Sequence, residues 1–255
     1  MPERSEYAPG TPAWVDLGTS DLEAAKTFYS GLFGWGLQDM GPEAGGYTMA
    51  TVRGKQVAGL GPLMAEGQPT AWTTYVYIED ADATAKEIEA AGGTVFAPPF
   101  DVMTAGRMGV FADPTGAVFA IWQPRDHKGA QLVGEAGALC WNELHTRDPD
   151  RAKQFYHDVF GWTGQTSEMD GMTYTEWKLG DETVGGMMPM GDQFPAEVPP
   201  HWLAYFAVDD CDATVAKAGQ LGGSVLSPAM DIPQGRFAVV ADPQGAAFGV
   251  IKLAG

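Results

Sequence analysis

The sequence predicts an α+β protein made of two tandem domains, each containing two βαβββ modules. Three observations lead there. Residues Trp14–Trp35 read W-V-D-L-G-T-S-D-L-E-A-A-K-T-F-Y-S-G-L-F-G-W and return at Trp141–Trp162 as W-N-E-L-H-T-R-D-P-D-R-A-K-Q-F-Y-H-D-V-F-G-W. The copies lie 127 positions apart without a gap, and 11 of the 22 residues are identical. Each half then restarts internally, at Thr73 and at Leu203, with an apolar strand, an aspartate and a helical pattern. Finally, an Asp-Pro-x-Gly turn recurs at Asp113–Gly116 and Asp242–Gly245. The 255 residues therefore divide into a lead (1–10), a first domain (11–123), a linker (124–137) and a second domain (138–254).

The elements follow in order. Ala13–Thr19 alternates, so Trp14, Asp16 and Gly18 share one strand face. Asp21 then caps a helix whose Leu22, Ala25, Phe28, Tyr29, Leu32 and Phe33 form an apolar stripe, with Gly34 as its stop. In the second copy Asp148 is the cap, and Pro149 occupies the first helical position, where its missing N–H costs nothing. Strands at Tyr47–Val52 and Gln56–Leu63 turn at Arg53-Gly54, and their counterparts Tyr174–Leu179 and Thr183–Met188 turn at Gly180-Asp181. The loop Met190–Pro200 carries Phe194. After the strand Thr73–Ile78, either Asp80 or Asp82 caps a second helix that stops at Gly92-Gly93. Leu203–Val208, Asp210 or Asp212, and Gly222-Gly223 repeat the plan. Strands through Gly106-Arg107 and Gly235-Arg236 then turn at the Asp-Pro-x-Gly tetrapeptides, which are type I turn sequences. Val118–Trp122 and Ala247–Ile251 return as the last strands.

Composition excludes several functions. A net charge of −18 gains nothing from counterion release, so nucleic acid and anionic membrane are not expected partners. Cys140 and Cys211 face Ala13 and Ala81 in the other repeat, which rules out a disulfide framework. No apolar leader or spanning run is present, and a cytoplasmic protein is expected, as monomer or homodimer. No Gly-rich phosphate loop, nucleophile elbow or Cys-x-x-Cys is found.

The nested duplication, with D-x-x-x-A-x-x-F-Y-x-x-x-F-G-W and the late F-x-D-P-x-G, resembles the vicinal oxygen chelate superfamily: glyoxalases, bleomycin-resistance proteins and extradiol dioxygenases. Within it, R-S-E-Y, G-T-P-x-W-V-D-L, W-N-E-L and R-F-A-V-x-x-D-P-Q-G resemble two-domain actinobacterial glyoxalase-like proteins. The resemblance implies two glyoxalase-like domains, each a curved mixed sheet around a pocket. It also implies a divalent metal held by His, Gln or Glu on the first strand of each module and by Glu on a last strand. Spacing from the cap aspartates puts Trp14, Thr73, Trp141 and Leu203 at the first-strand positions. Spacing from the turns puts Gly59, Ala120, Gly186 and Gly249 at the last-strand ones. None suits a divalent cation, so the usual metal site reads as lost.

What remains is an apolar pocket, opened by glycine and alanine at the former ligand positions. Trp14 and Trp141 either stack on a flat ligand there or fill the core beside the strand glycines. Asp16, Tyr75 and Tyr205 are candidate pocket walls. Arg107 and Arg236 either clamp an anionic ligand or serve as structural ion-pair partners. Glu143, His145 and His201 share the cup-facing side of two adjacent strands in the second half only, where they are candidates for acid–base chemistry or for a displaced metal. The expected function is metal-independent binding of an aromatic or amphipathic metabolite or antibiotic, with no cofactor. The alternative is a lyase, isomerase or oxygenase using Glu143, His145 and His201, with or without a divalent metal.

Overall fold

In the computed structural model, which describes residues 3–169 and 172–254, each half folds into its own open, curved eight-stranded sheet. The first half runs β1 (Pro12–Thr19), α1 (Leu22–Phe33), β2 (Gly36–Asp39), β3 (Thr48–Val52), β4 (Lys55–Pro62), β5 (Ala71–Tyr77), α2 (Ala81–Ala90), β6 (Thr94–Val102), β7 (Gly106–Ala112) and β8 (Val118–Pro124). The second runs β9 (Leu139–Thr146), α3 (Pro149–Phe160), β10 (Thr163–Met169), β11 (Met172–Leu179), β12 (Glu182–Pro189), β13 (His201–Ala207), α4 (Cys211–Gln220), β14 (Ser224–Ile232), β15 (Gly235–Ala241) and β16 (Ala247–Leu253). A 3-10 turn spans Pro42–Ala44. The strand orders, β2-β3-β4-β1-β5-β8-β7-β6 and β10-β11-β12-β9-β13-β16-β15-β14, are the same pattern twice. In each, the first strands of the two modules pair antiparallel at the centre, β1 with β5 and β9 with β13.

Local chemistry fixes the ends of the helices. Asp21 and Asp148 accept from the amides of Ala24 and Arg151, and Gly34 and Gly161 close α1 and α3 at φ 70° and 72°, where a side chain would be strained. The open choice of cap in the second modules resolves to Asp80 and Asp210, which accept from helix amides. Asp82 and Asp212 instead face Arg107 and Arg236. The edge strand β2 and residues 163–168 of β10 are exposed on both faces and so lack the apolar alternation of a central strand.

The two apolar cores are shared between the halves. One joins Val15, Leu17, Phe28, Tyr29, Trp35 and Trp72 to Phe206, Val240 and Phe248 of the last module. The other joins Ile78, Phe111 and Phe119 to Phe155, Tyr156, Trp162, Trp177 and Trp202. The first module thus packs on the fourth and the second on the third, with α1 beside α4 and α2 beside α3. The F-Y-x-x-x-F-G-W repeat makes this interface. Tyr29 Oη donates to Asp242 Oδ2 at 3.0 Å, and Tyr156 Oη donates to Asp113 Oδ2 at 3.0 Å. The indoles of Trp35 and Trp162 donate to the carbonyls of Gly137 and Gly10. Each acceptor aspartate is the first residue of an Asp-Pro-x-Gly turn, and its other oxygen accepts turn amides. The two repeated motifs therefore lock to each other across the halves.

Candidate functional site

Strand alternation sends one face of each sheet into the shared cores and leaves the other as a cup. On β1, Val15 and Leu17 enter the core, while Trp14 joins Tyr47, Met49, Tyr75, Met108 and Trp122 in the first cup. On β9 and β13, Leu144, Trp202 and Phe206 enter the cores, while Trp141, Leu203 and Tyr205, with Phe237 of β15, line the second cup.

Each cup is built round one carboxylate. In the first, Asp16 Oδ2 accepts from Tyr75 Oη at 2.8 Å and Tyr47 Oη at 3.2 Å, and Tyr47 Oη accepts from the Trp14 indole at 3.1 Å. Burial pushes the Asp16 carboxyl up to about 6 against those two hydrogen bonds. In the second, Glu143 Oε2 accepts from Tyr174 Oη at 2.8 Å and Oε1 from Tyr205 Oη at 3.1 Å, and Tyr174 Oη accepts from the Trp141 indole at 3.0 Å. His145 Nε2 adds a further bond to Glu143 Oε1 at 2.7 Å. Burial works to raise the Glu143 carboxyl, but His145, Tyr174 and Tyr205 outweigh it, and it lies below its usual value.

Tyr47 and Tyr174 went unnoticed in the sequence, although they are repeat-equivalents at the starts of equivalent hairpins. They correct the expectation that glycine opens space in the cups. A Cβ on Gly59 or Gly186 would fall inside the phenol of Tyr47 or Tyr174, and one on Gly249 inside the ring of Tyr205. Glycine is needed there because a tyrosine crosses the strand. An open cavity of about 530 Å³ does exist, but it lies outside the cups, between the halves, and charged Arg53, Glu135, Asp209 and Lys252 contribute to its lining.

The structure brings Trp14, Asp16 and Tyr75 together in one cup, and Trp141, Glu143, His145, His201 and Tyr205 in the other. His145 and His201 are cross-strand partners with ring centroids 4.8 Å apart. Burial, then His145, lowers the His201 imidazole, whose Nδ1 lies 2.9 Å from the Pro199 carbonyl. Arg107 and Arg236 join neither group and make the ion pairs of the structural alternative. Met108 and Phe237, their strand neighbours, face the cups, so the arginines project from the opposite faces. There Arg107 binds Asp82 and Asp101, and Arg236 binds Asp212 and Asp231.

The two cups differ in access. The linker packs over the first: the ring of His127 lies 4.4 Å from Trp14 and 5.6 Å from Trp122, and the Trp122 indole donates to the His127 carbonyl. Ala130 and Gln131 extend this cover along β1 and β4. Trp14 is left 3% exposed, and burial pushes the His127 imidazole down to about 4. Trp141 is only half-buried. Phe194, from the β12–β13 loop, packs instead on His145, centroids 5.2 Å apart.

The positions that the superfamily pattern assigns to a divalent metal carry the wrong residues for it. Trp14, Thr73, Gly59 and Ala120 in one cup, and Trp141, Leu203, Gly186 and Gly249 in the other, offer no set of donors, and tyrosine rings occupy the space above the glycines. Among the described residues, no three His, Cys, Asp or Glu side chains converge as a metal site. The residues present do not fit the ion. Among the described residues, no helix is long and apolar enough to cross a membrane.

Comparison with known proteins agrees with the doubled fold. The family model described as Glyoxalase/Bleomycin resistance protein/Dioxygenase superfamily matches residues 11–121 and again 139–250. "Putative glyoxylase CFP32" of Mycobacterium tuberculosis is 50% identical, covering 100% of this chain and 99% of its own. "Anthracycline biosynthesis protein DnrV" of Streptomyces peucetius is 42% identical, over 98% of this chain and 95% of its own. A Mn(II)-bound glyoxalase from Novosphingobium aromaticivorans shares the fold at TM-score 0.66 and 19% identity, covering 96% of this chain and 82% of that one. With both halves matched and each module in place, this chain belongs to the glyoxalase/bleomycin resistance protein/dioxygenase superfamily.

Proposed function

We propose that this protein binds a flat aromatic or amphipathic small molecule in its second cup, without the superfamily's divalent metal. The observation that carries the reading is the contrast between the cups: the linker covers Trp14, whereas Trp141 is only partly buried beside the Glu143–Tyr174–Tyr205 frame. An indole face, two phenols and one charged group suit a planar ligand with a polar edge. The name of the relative DnrV points to anthracycline biosynthesis, and polycyclic aromatics of that class have this shape. Cytosolic location, and a monomer or homodimer, belong to the same proposal. Titration with an anthraquinone should quench tryptophan fluorescence and leave the probe chemically unchanged. Trp141→Phe should weaken binding about tenfold or more, and Trp14→Phe should not. Equal loss in both variants, or loss only in Trp14→Phe, would overturn the assignment to the second cup.

A second reading, a lyase, isomerase or oxygenase, is favoured by the Glu143–His145 pair at 2.7 Å. It requires turnover that is lost in His145→Ala and His201→Ala while both variants stay folded.

A further inference from the structure

The second cup holds a buried polar atom with no partner. His145 is 4% exposed, and its Nδ1 is shielded from solvent and makes no hydrogen bond. Its Nε2 faces Glu143 Oε1, and the same carboxylate accepts from Tyr174 and Tyr205. A carboxylate surrounded by donors accepts only, so Nε2 bears a hydrogen, and in the neutral imidazole Nδ1 then presents a bare lone pair. Such an acceptor is costly to leave unmet in the interior unless something brings a donor to it. His201 supplies none: its own Nδ1 is directed at the Pro199 carbonyl. Phe194 and His201 flank the imidazole, and Trp141 lies four residues back on the same strand face. The first cup has Gly18 at the matching position, so this acceptor belongs to the second cup alone.

We propose that the ligand of the second cup is a planar molecule bearing an acidic hydroxyl, a phenol or enol, and that His145 Nδ1 takes its proton. This rests on the second-cup reading above and adds what the ligand must offer. The ligand O–H bond breaks, an Nδ1–H bond forms, and the oxygen keeps the electron pair as phenolate or enolate. The imidazolium so formed lies against the Glu143 carboxylate, which holds its charge. No atom is oxidised or reduced.

The test compares 2-hydroxyanthraquinone with its methyl ether at pH 6, where the free hydroxy probe is neutral, following tryptophan quenching and probe absorbance. Wild type should bind the hydroxy probe about tenfold or more tighter than the ether and shift its absorption to the red phenolate band. Glu143→Gln should bind it with a neutral spectrum, and His145→Phe should bind the two probes alike with no red band. Equal binding of both probes by wild type, or a neutral spectrum in the wild-type complex, would overturn the proposal and leave second-cup binding standing. If neither probe quenches, the second-cup reading falls and takes this proposal with it. The wild-type comparison decides even if a variant fails to fold.

Discussion

At the scale of residues, a carboxylate ringed by phenols organises each cup, and the two differ in what surrounds it. Asp16 has only Tyr47 and Tyr75, so burial wins and its carboxyl rises to about 6. A carboxyl raised in the folded state favours folding at low pH, and that contribution is lost as pH rises through about 6. His127 works the other way, since an imidazole lowered to about 4 loses its contribution as pH falls below its unfolded value. The two oppose each other over the same window, so wild type alone hides the effect and the comparison with Asp16→Asn reveals it. Between pH 5 and pH 7.5, urea unfolding should show the variant gaining about 1 kcal/mol relative to wild type. A constant difference across that range would mean that Asp16 is not buried as described. Of these features, Asp16, Glu143 and the tryptophans were legible from strand alternation. Tyr47 and Tyr174 were not, because a tyrosine opposite a glycine is a cross-strand relation, and one strand's pattern does not report it.

At the scale of elements, the loop between β12 and β13 sets access to His145. Arg147, just past β9, ties it down: its Nη2 donates to the carbonyls of Pro195 at 2.9 Å and Val198 at 3.1 Å. Removing that exposed side chain should change global stability by less than about 1 kcal/mol but loosen the loop. Arg147→Ala should speed hydrogen exchange across residues 191–199 and raise the ligand's association rate. Unchanged exchange there would show that the loop is held by other contacts. The linker is the matching element of the first cup. The sequence marks residues 124–137 only as a linker between domains, and His127, Ala130 and Leu132 make it part of the packed structure. Composition reports solubility along a segment and does not report which wall that segment lies against.

At the scale of the whole molecule, the duplication was plain in the sequence, but its consequence was not. Repeats say how many modules exist, and the pairing of first with fourth and second with third depends on faces that meet only after folding. Shared cores predict one cooperative unfolding transition for the whole chain. Tyr29→Phe and Tyr156→Phe should each lower stability by about 2–3 kcal/mol. Each leaves a buried indole donor, of Trp72 or Trp202, and a carboxylate oxygen, of Asp242 or Asp113, without its phenol. Both substitutions should move that single transition. Two separable transitions, each sensitive to one substitution, would show halves that fold independently.

On this reading the second cup, and not the first, takes the ligand. Fluorine NMR of protein labelled with 5-fluorotryptophan gives one resonance for each of the 8 tryptophans, assigned by single Trp→Phe substitutions. On titration with a hydroxyanthraquinone, the Trp141 resonance should shift saturably, with Trp14 and Trp122 unmoved beneath the linker. A saturable shift at Trp14 with Trp141 still would contradict the account and move the site to the first cup.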